Sequence, residues 1–277
     1  VDIVKVLVPI SGGKDSQACL KLALKHYKPE EVRGLFCDTG FEHPLTYAHI
    51  ETMRRLYGVR IDVVQAGTVE QQCIKHGRFP SDAARFCTEE LKIWPTKRYC
   101  KALAMEQGSR IGHKRKKIAA SKDGGFEVWY GMRSDESDAR SKRYAGKVCD
   151  DVYPPHEVLK KYPQYLHKLG VSFRLAILDW TKADVMEFLD GEENPLYRVL
   201  DEQGKPKFDR VGCFPCQAAG DEYKENCYQH DDFGRSQYRT IKIISQKIGK
   251  PMFNSKGGQA RDAANDNAGP GCALCAI

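Results

Sequence analysis

Two stretches of this 277-residue sequence carry residues whose types and spacing suit chemistry. The first is Ser11-Gly12-Gly13-Lys14-Asp15-Ser16. It interrupts the apolar run Val4-Lys5-Val6-Leu7-Val8-Pro9-Ile10 and precedes Ala18, Leu20, Leu22, Ala23 and Leu24, which recur at helical spacing. A strand, a glycine turn and a helix N-terminus make an anion cradle, with backbone N–H groups and the helix dipole facing the negative charge. Gly12 and Gly13 let the backbone bend and approach a phosphate, Lys14 adds a point charge, and Ser11 and Ser16 add hydroxyl donors. The G-x-x-x-x-G-K-[ST] spacing of a Walker A loop is absent. The second stretch is Arg210-Val211-Gly212-Cys213-Phe214-Pro215-Cys216, whose C-x-x-C brings two thiolates within reach of one zinc ion, one iron–sulfur cluster or each other.

Further candidates lie between and beyond these. Asp38-Thr39-Gly40 closes the apolar run Val32–Cys37, at the strand end where open parallel sheets bind ligands. Gly131, Arg133 and Arg140 follow the run Glu127–Tyr130; the glycine permits close approach, and the two guanidiniums can pair bidentately with phosphate or sulfate. Cys87 stands alone in Arg85-Phe86-Cys87-Thr88, and the chain ends in Cys272-Ala273-Leu274-Cys275.

The elements that must position these residues are legible as an alternation. Val4–Ile10, Val32–Cys37 and Arg60–Val64 read as strands, with helical patterns from Ala18 and over Pro44–Tyr57 between them. That pattern predicts an α/β fold: a doubly wound parallel sheet with helices on both faces, and a cysteine-bearing C-terminal region behind it. Residues 1–190 are expected to form the nucleotide-binding domain, 191–252 the cysteine-containing region and 253–277 a flexible tail rich in Gly, Ala, Asn and Asp. Residues 108–125 carry a basic cluster between glycines with neither interleaved aromatics nor a helical stripe; they read as a solvated loop, with nucleic-acid contact as the alternative.

Composition narrows the class. Hydrophobic residues at 41% and aromatics at 10% can supply a core. No segment approaches the roughly 20 apolar residues of a membrane helix, and no secretory signal is visible, so a cytoplasmic protein without membrane contact is expected. The net charge of +7 suits phosphorylated small molecules, nucleic acid or an acidic partner. Eleven cysteines in such a chain read as ligands or redox groups rather than a disulfide framework.

The six residues Ser11–Ser16 match the PP-loop of the ATP-pyrophosphatase superfamily, whose members cut ATP between the α- and β-phosphates. Within it the chain resembles the phosphoadenosine phosphosulfate (PAPS) reductase-like family in several segments. These are Asp38–Tyr47, with Leu45 in place of the usual Glu; Cys87-x4-Lys92-x2-Pro95; Gly131-x-Arg133-x2-Glu136-Ser137-x2-Arg140; Asp179-Trp180-Thr181; and Asn194-Pro195-Leu196-Tyr197. The iron–sulfur adenylylsulfate reductases carry a similar G-C-x-P-C after N-P-L-Y, and two adjacent cysteines where this chain has Phe86-Cys87.

The resemblance implies ATP and Mg2+ as ligands and a 4Fe-4S cluster on Cys87, Cys213 and Cys216, with zinc as the alternative. A fourth ligand would be Cys227, a tail cysteine or a non-protein group. Ser11, Gly12, Gly13, Lys14, Asp15, Ser16, Asp38, Thr39, Gly131, Arg133 and Arg140 would bind the adenine nucleotide, and Lys14 and Asp15 would act in catalysis. Reductases of ready-made adenylyl sulfate usually lack the loop lysine, so the intact loop implies adenylylation of an acceptor, with release of pyrophosphate, and sulfur transfer to it. The acceptor could be nucleic acid, served by a sulfur donor, as in the tRNA-thiolation and DNA-phosphorothioation branches. The alternatives are a thiol-dependent reductase of adenylyl or phosphoadenylyl sulfate, with Cys272 as nucleophile and a thioredoxin-like reductant, and a non-catalytic nucleotide-binding subunit.

Overall fold

The computed structural model describes residues 3–81, 84–114, 117–120 and 122–252. Its strands are β1 (Val6–Ile10), β2 (Val32–Asp38), β3 (Arg60–Gln65), β4 (Ile111–Lys114), β5 (Lys117–Ala120), β6 (Phe126–Trp129), β7 (Val152–Tyr153) and β8 (Val171–Arg174). The helices are α1 (Lys14–His26), α2 (Pro44–Tyr57), α3 (Val69–His76), α4 (Phe86–Thr88), α5 (Trp94–Glu106), α6 (Asp138–Tyr144), α7 (Pro155–Val158), α8 (Gln164–Lys168), α9 (Lys182–Leu189), α10 (Asp221–His230) and α11 (Asp232–Ile248).

Six strands form one sheet in the order β3-β2-β1-β6-β8-β7, parallel except for the edge strand β7. All five residues of β1 are buried, as expected of a central strand covered on both faces. Its side chains divide between the two faces: Leu7 packs with Leu35, Val128 and Phe173, while Val6, Val8 and Ile10 pack with Phe36 and Ile61. Pro9 is tolerated because β6 pairs with β1 only at Val6 and Leu7, short of the position where an N–H is missing. The chain leaves β1 toward β2 and β3, then returns to the other side for β6. The carboxyl ends of β1 and β6 therefore flank a topological switch point, where sheets of this kind hold ligands.

Residues 108–125 differ from the expected loop: β4 and β5 pair antiparallel from Ile111↔Ala120 to Lys114↔Lys117. Backbone hydrogen bonds hold such a ribbon, and charge patterning does not report them. Among the described residues no helix is long and apolar enough to cross a membrane. The tail cysteines Cys272 and Cys275, with all of 253–277, lie outside the described residues.

Candidate active site

The anion cradle forms where β1 meets α1. Gly12 adopts φ +77°, and a Cβ there would lie 2.3 Å from Thr46 Cγ2, so only glycine fits. Ser16 Oγ donates to Gly13 O at 2.9 Å and accepts from Ser11 N at 3.2 Å, which fixes the turn. Gly13 caps α1 without a side-chain bond, leaving the first-turn N–H groups to other acceptors. One acceptor comes from far along the chain: Lys14 N donates to Tyr197 Oη at 3.2 Å. Lys14 is 5% exposed, and its ammonium donates to Asp209 O at 3.2 Å, lies 3.6 Å from Asp15 Oδ2 and sits 5.1 Å from the Tyr197 ring centre. Burial holds the Lys14 pKa below its ordinary value, against the pull of Asp15.

Asp15 is held by Arg133, whose Nε donates to Oδ1 at 2.6 Å, and Arg133 also pairs with Asp135. Arg140 pairs with Glu136. Both guanidiniums are buried, and a buried cation is stable only beside a counter-charge. In this structure the two forks thus meet carboxylates. Gly131 admits the α1 turn: a Cβ on it would lie 2.6 Å from Asp15 C and 2.8 Å from Ser16 N.

Beside the cradle is a small cavity lined by Thr39, Arg85, Cys87, Lys92, Cys213 and Cys216, among others. Two separate segments bring the cysteines there. Cys87 lies in α4, ahead of a single π-helical turn, Glu89–Ile93, that carries buried Lys92. Cys213 and Cys216 lie on a segment clipped to the loop after β2, with Phe214 N donating to Phe41 O at 2.6 Å. Burial pushes the Cys213 thiol up, and Lys92 draws it partly back. All nine described cysteines are free thiols.

Glu42 ties the loop after β2 to Cys213, and nothing in the sequence marked it. Its buried carboxylate accepts Thr39 N (3.2 Å), Thr39 Oγ1 (2.7 Å), Phe41 N (3.2 Å) and Tyr47 Oη (3.3 Å), and receives the Cys213 thiol at 3.7 Å. Thr39 Oγ1 lies 3.4 Å from Cys213 Sγ, so Thr39 faces the cysteines. Asp38 accepts from Gly40 N, Tyr47 Oη and Gln65 Nε2 at 2.8, 2.7 and 3.2 Å. Tyr197, visible beforehand only as part of a turn, is buried against the cradle, and its neighbour Asn194 donates to Gly12 O at 3.1 Å. Cys227 packs with Leu196, Phe208 and Phe214 and is not among the residues lining the cavity.

Among the described residues, the His, Cys, Asp and Glu set with ligand atoms mutually within 4.8 Å is His43, His230 and Asp231. It is not a metal site as folded. His43 Nδ1 accepts Leu45 N at 3.1 Å, so the ring proton is on Nε2 and is given to Asp231 Oδ2 at 2.9 Å. Both ring nitrogens are used, and the pair ties the start of α2 to the start of α11. Cys87, Cys213 and Cys216 line the cavity together, a donor set that suits either a cluster or zinc.

An α/β sheet with an anion cradle at its switch point and a cysteine cavity beside it defines a PP-loop nucleotide-binding protein. The family model described as phosphoadenosine phosphosulfate reductase domain matches residues 5–219, and the chain belongs to that family. It is 27% identical to uncharacterized protein MJ0066 of Methanocaldococcus jannaschii, over 77% of this chain and 36% of that protein. It is 26% identical to an uncharacterized 37.8 kDa protein of Escherichia phage 186, over 76% of this chain and 66% of that one. The chain therefore spans less than two thirds of the length of these relatives. Similar solved structures include phosphoadenylyl-sulfate reductase from Candida auris in a phosphate complex, with TM-score 0.43, 16% identity, and 69% of this chain and 76% of that chain covered. Another is the U34-tRNA thiolase NcsA from Methanococcus maripaludis with its [4Fe-4S] cluster, with TM-score 0.44, 15% identity, and 100% and 82% covered.

Proposed function

We propose that the chain is an ATP-pyrophosphatase-type enzyme that adenylylates an acceptor and supports sulfur transfer to it. ATP binds with Mg2+ at Ser11–Ser16, its polyphosphate replacing Tyr197 Oη and Asp209 O as acceptors of the Lys14 hydrogen bonds. An acceptor oxygen attacks the α-phosphorus, the bond to the α–β bridging oxygen breaks, and pyrophosphate leaves with the electron pair. Lys14 offsets the charge that develops on it. A sulfur nucleophile from a donor then displaces AMP.

Cys87, Cys213 and Cys216 suit a cluster held by three thiolates, since they line one cavity beside Lys92. Bound there, a 4Fe-4S cluster would supply an iron open to a sulfur ligand. Toward it, Glu42 and Thr39 orient the Cys213 thiol.

The observation that carries the reading is Lys14, a buried ammonium at the head of an uncapped helix. An enzyme whose substrate has no β,γ-pyrophosphate has little use for a cation held there at the cost of burial. The test measures pyrophosphate release and ligand-induced thermal shifts on oxygen-free protein. Mg-ATP should stabilise the fold more than adenylyl sulfate or its 3′-phosphate, and Lys14→Ala should lower pyrophosphate release at least about tenfold. Equal rates in variant and parent, or a preference for a sulfonucleotide, would overturn the reading.

A further inference from the structure

We propose that the outward face of α11 is a docking surface for the phosphate backbone of a polynucleotide. It rests on the reading above in one respect: the docked polynucleotide is the acceptor class offered to the cysteine cavity.

The buried face of α11 is Gly234, Gln237, Ile241 and Ile244. On the opposite face Arg235, Arg239, Lys242 and Gln246 recur at i, i+4, i+7 and i+11 and are all exposed. From Phe233 to Lys250 the chain has five Lys or Arg and no Asp or Glu. Carboxylates reach the helix at its two ends: Asp232 pairs with Arg235, and Glu70 with Lys247. Arg239 and Lys242 have no carboxylate partner among the described ion pairs, and Lys242 lies over the Tyr238 ring, 4.6 Å from its centre.

At ~1.5 Å rise per residue the Arg235 and Arg239 positions are about 6 Å apart, a step on the scale of successive phosphates along one strand. Tyr238, 39% exposed beside the strip, has Lys242 over its ring and the Tyr228 ring 5.1 Å away, which holds the Lys242 cation at the surface. Cations repeated along one face with no carboxylate between them match the evenly repeated charge of a polynucleotide backbone. Position agrees: Ile241 and Ile244 pack in the same apolar cluster as Cys87 and Cys213. A strand lying on α11 is thus at least one helix diameter, ~10 Å, from the cavity.

The test is fluorescence anisotropy of labelled transfer RNA, and of single-stranded DNA of equal length, with the full chain and no nucleotide. Arg239→Glu combined with Lys242→Glu should weaken binding at least about tenfold and flatten the log K against log salt slope by roughly two units. Melting temperature and the thermal shift given by Mg-ATP should stay at parent values. Lys25→Glu with Arg55→Glu, exposed cations of α1 and α2, makes the same change in net charge and should bind nearly as the parent does. An equal loss in that control pair, an unchanged salt slope, or displacement of RNA by polyglutamate at equal charge would overturn the proposal. The RNA and DNA arms decide which polynucleotide is preferred. Binding of polynucleotide by the double variant as tight as by the parent, with Mg-ATP stabilisation intact in both, refutes only this surface. Loss of release in Lys14→Ala with docking intact bears only on the nucleotide chemistry.

Discussion

Lys14 donates its ammonium to the carbonyl of Asp209 at 3.2 Å, and Asp209 stands four residues before Cys213. The nucleotide cradle and the cysteine cavity are thereby two ends of one short segment. Val211 O lies near Gly13 at the cradle end, and Phe214 N is bonded to Phe41 O at the cavity end. An anion that takes over the Lys14 ammonium releases Asp209 O, and the segment carrying Cys213 feels that release directly.

Tyr197 Oη takes the Lys14 N–H that the proposed polyphosphate would use. Tyr197→Phe should cost about 1 kcal/mol of stability, the usual net worth of one hydrogen bond. It should also tighten Mg-ATP binding severalfold, because the ligand no longer displaces the hydroxyl. Calorimetric titration with urea unfolding checks both. Weaker binding in the variant would mean that the hydroxyl assists the ligand instead.

Gly131→Ala places a methyl group against the backbone of Asp15 and Ser16. Backbone cannot swing aside as a side-chain end does, so β6 and the first turn of α1 must separate. The expected cost is about 1–3 kcal/mol, with nucleotide-induced stabilisation lost as well. Retained stabilisation by Mg-ATP would show that the first turn of α1 is not part of the ligand contact.

Glu42→Gln keeps the shape of the side chain and removes the carboxylate that gathers Thr39, Phe41, Tyr47 and Cys213. Stability should fall by about 1–3 kcal/mol. Iron bound after anaerobic reconstitution should drop with it, and Cys213→Ser should abolish the visible absorption. Full iron content in both variants would exclude Cys213 as a ligand and limit Glu42 to holding the loop.

His49 supplies a pH dependence with a definite sign. Burial lowers its pKa from 6.5 to about 4, and its Nε2 lies 2.8 Å from Gln17 Oε1, to which it donates when neutral. The unfolded chain takes up this proton near pH 6.5 and the folded chain only near 4. The contribution is therefore fully present above about pH 6.5 and is lost as pH falls toward 4, with a ceiling of roughly 3 kcal/mol. His49→Gln should flatten the stability curve across that window in urea unfolding. An identical curve would place the acid sensitivity elsewhere.

By itself the sequence determined the parts whose signal is local. The apolar run, glycine turn and helical spacing around Ser11–Ser16 reappear as β1, the cradle and α1. The Pro44–Tyr57 pattern ends at Gly58 in the left-handed region, and Thr181 with Asp184, a spacing typical of helix starts, forms a capping box on α9. The hairpin at 111–120 was missed because its ladder is made by backbone groups identical in every residue.

Tertiary structure alone decided who meets whom. Tyr197 and Asp209 reach Lys14 across 183 and 195 residues, and Thr39 reaches Cys213 across 174. No spacing rule spans such separations; closure of the sheet and docking of the C-terminal region bring them together. Burial decided the rest. Arg133 has the chemistry to bind a phosphate, but once enclosed beside Asp15 it needs a permanent counter-charge, and the fold supplies a carboxylate. Glu42 looked like any turn glutamate until the loop after β2 folded inward and made it an acceptor for four donors and a thiol.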